Sequence, residues 1–247
     1  MSSAERTTKE ELAAIRAVGY GFLARAFAYP SPEAVHALRE VAGVAGRVCA
    51  GSPLLALVAA AERASEPELR AQYVATFTHT TNPDCPAYET AYLCRDTFQQ
   101  THRMAELCGF YRAWGVQAQR NGSRPDEIGV ELEFMGFLAA KEWLGLHEGD
   151  PEREARAAEG QLLFFREHLA RWAPTFARRL TACAQPGSFY ALASAALQTW
   201  LADEAERLGV DLSLASTEIT VDQLAAEPRG DIAPPLVALE TIEVMDR

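Results

Sequence analysis

The sequence predicts an all-α protein, a helical bundle of two closely packed subdomains with an extended C-terminal tail. Apolar residues recur at three- and four-residue spacing through almost the whole body of the chain. Proline, glycine and Asn-Gly-Ser clusters fall where that periodicity breaks. Only Thr217–Val221 (TEITV) reads convincingly as β, and it lies in the tail.

Leu12, Ile15, Gly19, Phe22, Leu23 and Ala26 form the first apolar stripe, which ends before Tyr29-Pro30. Val35, Leu38, Val41, Ala45 and Val48 give a second helix, opened by Ser31-Pro32-Glu33. Short helices follow at Leu54–Arg63 and Pro67–Thr78, the latter with proline in its first turn. His79–Tyr88 is a connector rich in Thr, Asn and Pro. A helix then carries Cys94, Phe98, Thr101, Met104, Cys108 and Tyr111 and ends near Gly115. Gln117–Arg124 holds the turn signal Asn121-Gly122-Ser123, the best internal boundary. It divides one domain, 1–247, into subdomains of about 1–121 and 122–210, with the tail at 211–247.

The next helix is expected from about Pro125 to Leu144, with Gly145 as its terminator. Ala158, Leu162, Phe165, Leu169 and Trp172 mark another helix, and Pro174 opens a short segment through Phe176 and Leu180. Pro186 precedes the last helix, with Phe189, Leu192, Ala196, Trp200 and Leu208. After Gly209 the character changes, and Pro228 and Pro234-Pro235 fit an extended tail.

The helix beginning near Pro125 is apolar nearly all round. Ile128, Leu132, Met135 and Ala139 share one face, and Val130, Phe134, Phe137 and Leu138 cover much of the rest. Such a helix is buried nearly all round. Glu131 and Glu142 fall beside its first apolar face, so at least one should meet an arginine from another helix. Phe110 and Phe134 are the first candidates for plain core.

The composition, 49% hydrophobic and 23% charged, is that of an ordinary soluble globular chain. A net charge of −11 argues against nucleic-acid binding and suits a cationic partner. The five cysteines include no C-x-x-C and fit a reducing compartment. The N-terminal stretch has scattered charges and no apolar core of a leader, and no run of about 18 apolar residues exists. A cytoplasmic protein without stable membrane insertion is expected.

No phosphate loop, dinucleotide fingerprint or nucleophile elbow is present. Glu33-Ala-Val-His36 is the only E-x-x-H, whereas a di-metal bundle needs two and two further glutamates. Cys85, Cys94 and Cys108 with His79 and His102 are too irregularly spaced for zinc. Cys85 reads as a small packing residue, and Arg178-Arg179 as a solvated helix face. No catalytic residue, metal or cofactor is expected.

Aromatic and acidic residues carry the functional signal. Tyr73 and Phe77 share a helix face before the connector, and Tyr88 and Tyr92 are one turn apart after it. If the turns at His79–Tyr88 and Gln117–Arg124 lie at the same end of the bundle, an aromatic-lined groove results. Asp84, Glu89, Asp126 and Glu127 would rim it with negative charge, which suits an amphipathic peptide bearing arginines. A rim Asp126 should be removable with little loss of stability.

At these residues the sequence resembles the TorD/DmsD/NarJ family of molybdoenzyme-specific chaperones. The matching blocks are R-x-x-x-Y-x-x-L-A-R-A-F-x-Y-P (Arg16–Pro30), Q-Y-V-A-T-F (Gln72–Phe77), C-P-A-Y-E-T-A-Y (Cys85–Tyr92), G-F-Y-R-A-W-G (Gly109–Gly115), R-P-D-E-I-G-V-E-L-E-F-M (Arg124–Met135) and F-F-R-E-H-L-A-R-W-A-P-x-F (Phe164–Phe176). In order they span roughly residues 10–205, closer to the TorD/DmsD branch. The resemblance implies a TorD-like all-α fold and a monomer or dimer. It implies binding of the twin-arginine signal peptide and apo form of a molybdopterin oxidoreductase, whose cofactor insertion the chaperone assists before export. Peptide binding then falls on Tyr73, Phe77, Pro86, Tyr88, Glu89, Tyr92, Pro125 and Asp126. The family commonly has Pro-Asp-His where this chain has Pro125-Asp126-Glu127. The competing classes are a small helical enzyme or metal-dependent oxidase, and a structural subunit of the mature complex.

Overall fold

The structure, a computed structural model, describes residues 3–49, 52–77, 84–118, 124–216 and 242–244. Its axis is α7 (Ile128–Glu148), whose buried residues run from Ile128 to Leu146 and leave little of the helix to solvent. The long α1 (Ser3–Ala26) lies along it. Gly136 of α7 permits the approach, since a Cβ there would stand 3.3 Å from Ala17 O and Gly21 N of α1.

Around this pair pack α2 (Pro32–Val48), α3 (Leu55–Arg63), α4 (Glu66–Phe77), the single turn α5 (Thr90–Leu93) and α6 (Thr97–Ala113). On the other side come α8 (Pro151–Phe164), a π-helical turn at Phe165–Leu169, α9 (Ala170–Cys183) and α10 (Phe189–Leu208). The chain is all-α but for one antiparallel pair among the described residues, in which β1 (Val116–Ala118) meets β2 (Ile242–Val244). Most of the apolar interior is one continuous cluster running from α1 to α10.

Side-chain caps set several helix starts. Ser31 Oγ accepts from Ala34 N ahead of Pro32, Asp150 Oδ1 accepts from Glu152 and Arg153 N ahead of Pro151, and Ser188 Oγ accepts from Ala191 N.

Several boundaries differ from expectation. α7 ends at Gly149, whose φ of 69° makes it a left-handed cap. Gly145 is instead buried inside α7, where a Cβ would stand 2.6 Å from Glu154 N of α8. The helix expected to carry Cys94 through Tyr111 is two: Cys94 closes α5, and Asp96 caps α6 by accepting from Gln99 N. Pro174 opens no segment, because it lies inside α9 just after the π-helical turn, where a backbone N–H is dispensable. Gln117 and Ala118 belong to β1 rather than to a turn. The boundary at 121–122 and the Thr217–Val221 run lie outside the described residues.

The two glutamates of α7 diverge. Glu142 meets Arg16 of α1, as expected, with Nη2 2.8 Å from Oε2, and it also accepts from Gln161 Nε2 at 2.7 Å. Glu131, wholly buried, accepts from Trp172 Nε1 at 3.1 Å, and its other oxygen has no partner. Burial first, then the neighbouring Glu89, pushes its carboxyl well above the usual range. Phe134 is core; Phe110 is only half-buried.

Candidate functional site

The two connector blocks meet at one end of the bundle through backbone bonds. Ile128 N donates to Ala87 O at 2.9 Å and Glu89 N to Asp126 O at 2.8 Å, with Tyr88 opposite Glu127 in an antiparallel bridge. Residues 87–89 are thus a strap laid along the start of α7. Asp126 clamps it. Its Oδ2 accepts from Thr90 N (3.2 Å) and Thr90 Oγ1 (2.6 Å), and Arg124 closes on both carboxylate oxygens at 2.9 and 3.0 Å. The Arg124 guanidinium also lies 4.4 Å from the centre of the Tyr88 ring. Tyr92 Oη donates to Pro86 O and Tyr111 Oη to Pro125 O, so both prolines are fixed from beneath.

Glu89 points the opposite way from Tyr88, into the protein. Its fully buried carboxylate takes Arg103 Nη2 at 2.6 Å and Nε at 3.0 Å, with His168 Nδ1 at 3.2 Å from both oxygens. The four acids expected at the rim differ in placement. Asp84 is exposed and Glu127 half-buried, but Glu89 and Asp126 are wholly inside. Their charges belong to Arg103, His168 and Arg124, because a buried carboxylate without such partners is expensive.

Glu127 is the acidic group left facing the aromatics. Its carboxyl is pushed up to about 7, first by burial, with Asp126 adding to it and the Arg124 backbone N–H opposing it. The Tyr73 phenol is raised by burial and next by the Glu127 charge. Tyr73 is edge-on to Tyr29 (5.3 Å) and Tyr190 (5.9 Å) and tilted against Phe77 (4.9 Å). Phe77 continues inward to Tyr190 and Phe176.

The structure thus brings Tyr73, Tyr88, Pro125 and Glu127, all half-buried, to the same end as exposed Asp84. Phe77, Pro86, Glu89, Tyr92 and Asp126 stand behind them as buried support. Asp84 O accepts from Arg179 Nη1 at 3.1 Å, so Arg179, read as solvated, anchors the strap's approach while Arg178 is exposed. Cys85 is a buried packing residue whose thiol is raised by burial. Arg103, Arg124, His168, Tyr29 and Tyr190 also shape the site. Arg124 and His168 sat in matched blocks, whereas nothing local links Tyr190 to Tyr73.

The helical body thus carries aromatic rings and the half-buried Glu127 carboxyl at one end. A family model described as nitrate reductase delta subunit matches residues 28–178, and the chain belongs to that family. The selenate reductase assembly chaperone protein of Thauera selenatis is 35% identical over 108 residues, 43% of this chain and 53% of that protein. The chlorate reductase assembly chaperone protein of Ideonella dechloratans is 36% identical over 81 residues, 32% of this chain and 40% of the relative. The perchlorate reductase assembly chaperone protein of Dechloromonas aromatica is 33% identical over 115 residues, 44% and 48% of the two chains. The chain spans about half the length of the curated relatives it matches. Among the described residues no helix is long and apolar enough to cross a membrane.

Proposed function

We propose that the protein is a cytoplasmic, non-enzymatic chaperone for one molybdenum oxidoreductase. It binds the enzyme's twin-arginine signal peptide and apo form and assists cofactor insertion before export. The observation that carries this reading is the grouping of Tyr73, Tyr88 and Glu127 beside exposed Asp84, held there by the strap. Apolar side chains of the peptide lie on the rings, and a guanidinium meets Glu127, whose carboxylate among the described residues accepts only the Arg124 backbone N–H while the Arg124 guanidinium closes on Asp126. Phe77, Pro86, Glu89, Tyr92, Pro125 and Asp126 hold that surface in shape. The relatives, named as assembly chaperones of reductases, support the client class.

Co-expression with the precursor of a candidate client oxidoreductase tests the reading. The precursor should co-purify with the protein, and a precursor lacking its signal segment should be recovered in much lower yield. Equal recovery of both would overturn the signal-peptide part of the proposal.

A further inference from the structure

A cleft of about 480 Å³ opens between α6 and the π-helical turn, lined by Glu106, Gly109, Phe110, Trp114, Glu167 and His168, with Arg103 at its inner end. Arg103 and His168 reach it from behind the strap, where they hold Glu89, and the other lining residues have no part in the strap surface. We propose that this cleft is a second peptide-binding site, for a short segment carrying a bulky apolar side chain beside a basic residue. The size suits a few side chains.

The walls explain the apolar half of that chemistry. α6 buries only Leu107 and Tyr111, so Phe110 and Trp114, one turn apart, keep part of their rings uncovered. Phe110 is braced edge-on against His168 (5.4 Å) and Phe164 (5.5 Å), which makes the floor rigid. Gly109 immediately precedes Phe110, and a Cβ there would have nothing within 4 Å. Glycine in a helix interior is less stable than alanine, and here no packing contact demands it. Its missing side chain keeps the cleft open.

The rim explains the basic half. Glu106 and Glu167 are 45% and 47% exposed. Their cations are near neighbours in sequence, His102 and Arg103 for the first and Arg166 for the second. Exposed pairs of this kind exchange at little cost. Arg103 itself is turned inward to Glu89 and the Glu167 carbonyl. Arg156, 5.1 Å from the centre of the Trp114 ring, shows that this indole accepts a guanidinium on its face. The π-helical turn, a local widening frequent at functional sites, carries Glu167 at the rim and His168 in the floor.

The test uses the full chain, amide NMR spectra and two synthetic pentapeptides, acetyl-Lys-Leu-Phe-Leu-Lys-amide and its counterpart with both lysines replaced by glutamate. The basic probe should shift the Gly109 amide and the Trp114 indole N–H, and the acidic probe should bind about tenfold more weakly. Gly109→Leu should keep the wild-type melting temperature or raise it, yet abolish those shifts. Unchanged binding by Gly109→Leu, equal affinity for both probes, or no binding of either would overturn the proposal. Shifts confined to Tyr88 and Glu127 would overturn it too while leaving the signal-peptide reading standing. Shifts at Gly109 and Trp114 alone support the cleft without supporting that reading.

Discussion

Glu127 stands where the family resemblance leads one to expect histidine, and burial gives its carboxyl a titration near 7, in the histidine range. The folded value lies above the ordinary 4.5, so the fold holds this proton more tightly than the unfolded chain does. The stability linked to it is full below about pH 4.5 and is lost as pH rises to about 7. Glu127→Gln cannot ionise and keeps that contribution. Its melting temperature should therefore gain on wild type across this interval and run parallel above it. Parallel curves throughout would contradict the assignment. An arriving guanidinium favours the ionised carboxylate, so the affinity of wild type for an arginine peptide should rise with pH over the same interval and that of Glu127→Gln should not. Calorimetry at several pH values checks this.

At the scale of elements, the strap and the α7–α8 corner carry the clearest consequences. Asp126 was expected at a solvated rim; inside, it satisfies Thr90 N, Thr90 Oγ1 and Arg124 together. Asp126→Ala should cost on the order of 2–3 kcal/mol, tempered by the 30% exposure of Arg124, and urea unfolding measures it. An unchanged midpoint would make the clamp energetically idle. Gly145 fails as a helix terminator for a related reason: it lets α8 return against α7. Gly145→Ala drives a Cβ toward the Glu154 backbone and should destabilise by about 1–3 kcal/mol, read from the same unfolding curves. Gly149, left-handed and exposed, is what ends the helix. Both glycines fit the sequence pattern of a stop, and only packing separates them.

Across the molecule, periodicity made most helices legible, because burying one face of each against its neighbouring helices is what the apolar spacing encodes. Their ends were less legible where an apolar stripe ran through a break, as from Cys94 to Phe98, or where a π-helical turn absorbed Pro174. The site was legible as residue blocks. Its orientation was not, because which carboxylates face solvent depends on partners distant in the chain, such as His168, 79 residues beyond Glu89. The body that results presents aromatic rings and Glu127 at one end, and the central claim is that this end captures a basic signal peptide. Isothermal titration of the protein with the client's twin-arginine peptide, and with a version carrying glutamine at both arginines, tests it most directly. The native peptide should bind and the glutamine version should bind about tenfold or more weakly. Equal affinity for the two, or no binding of the native peptide, would contradict it.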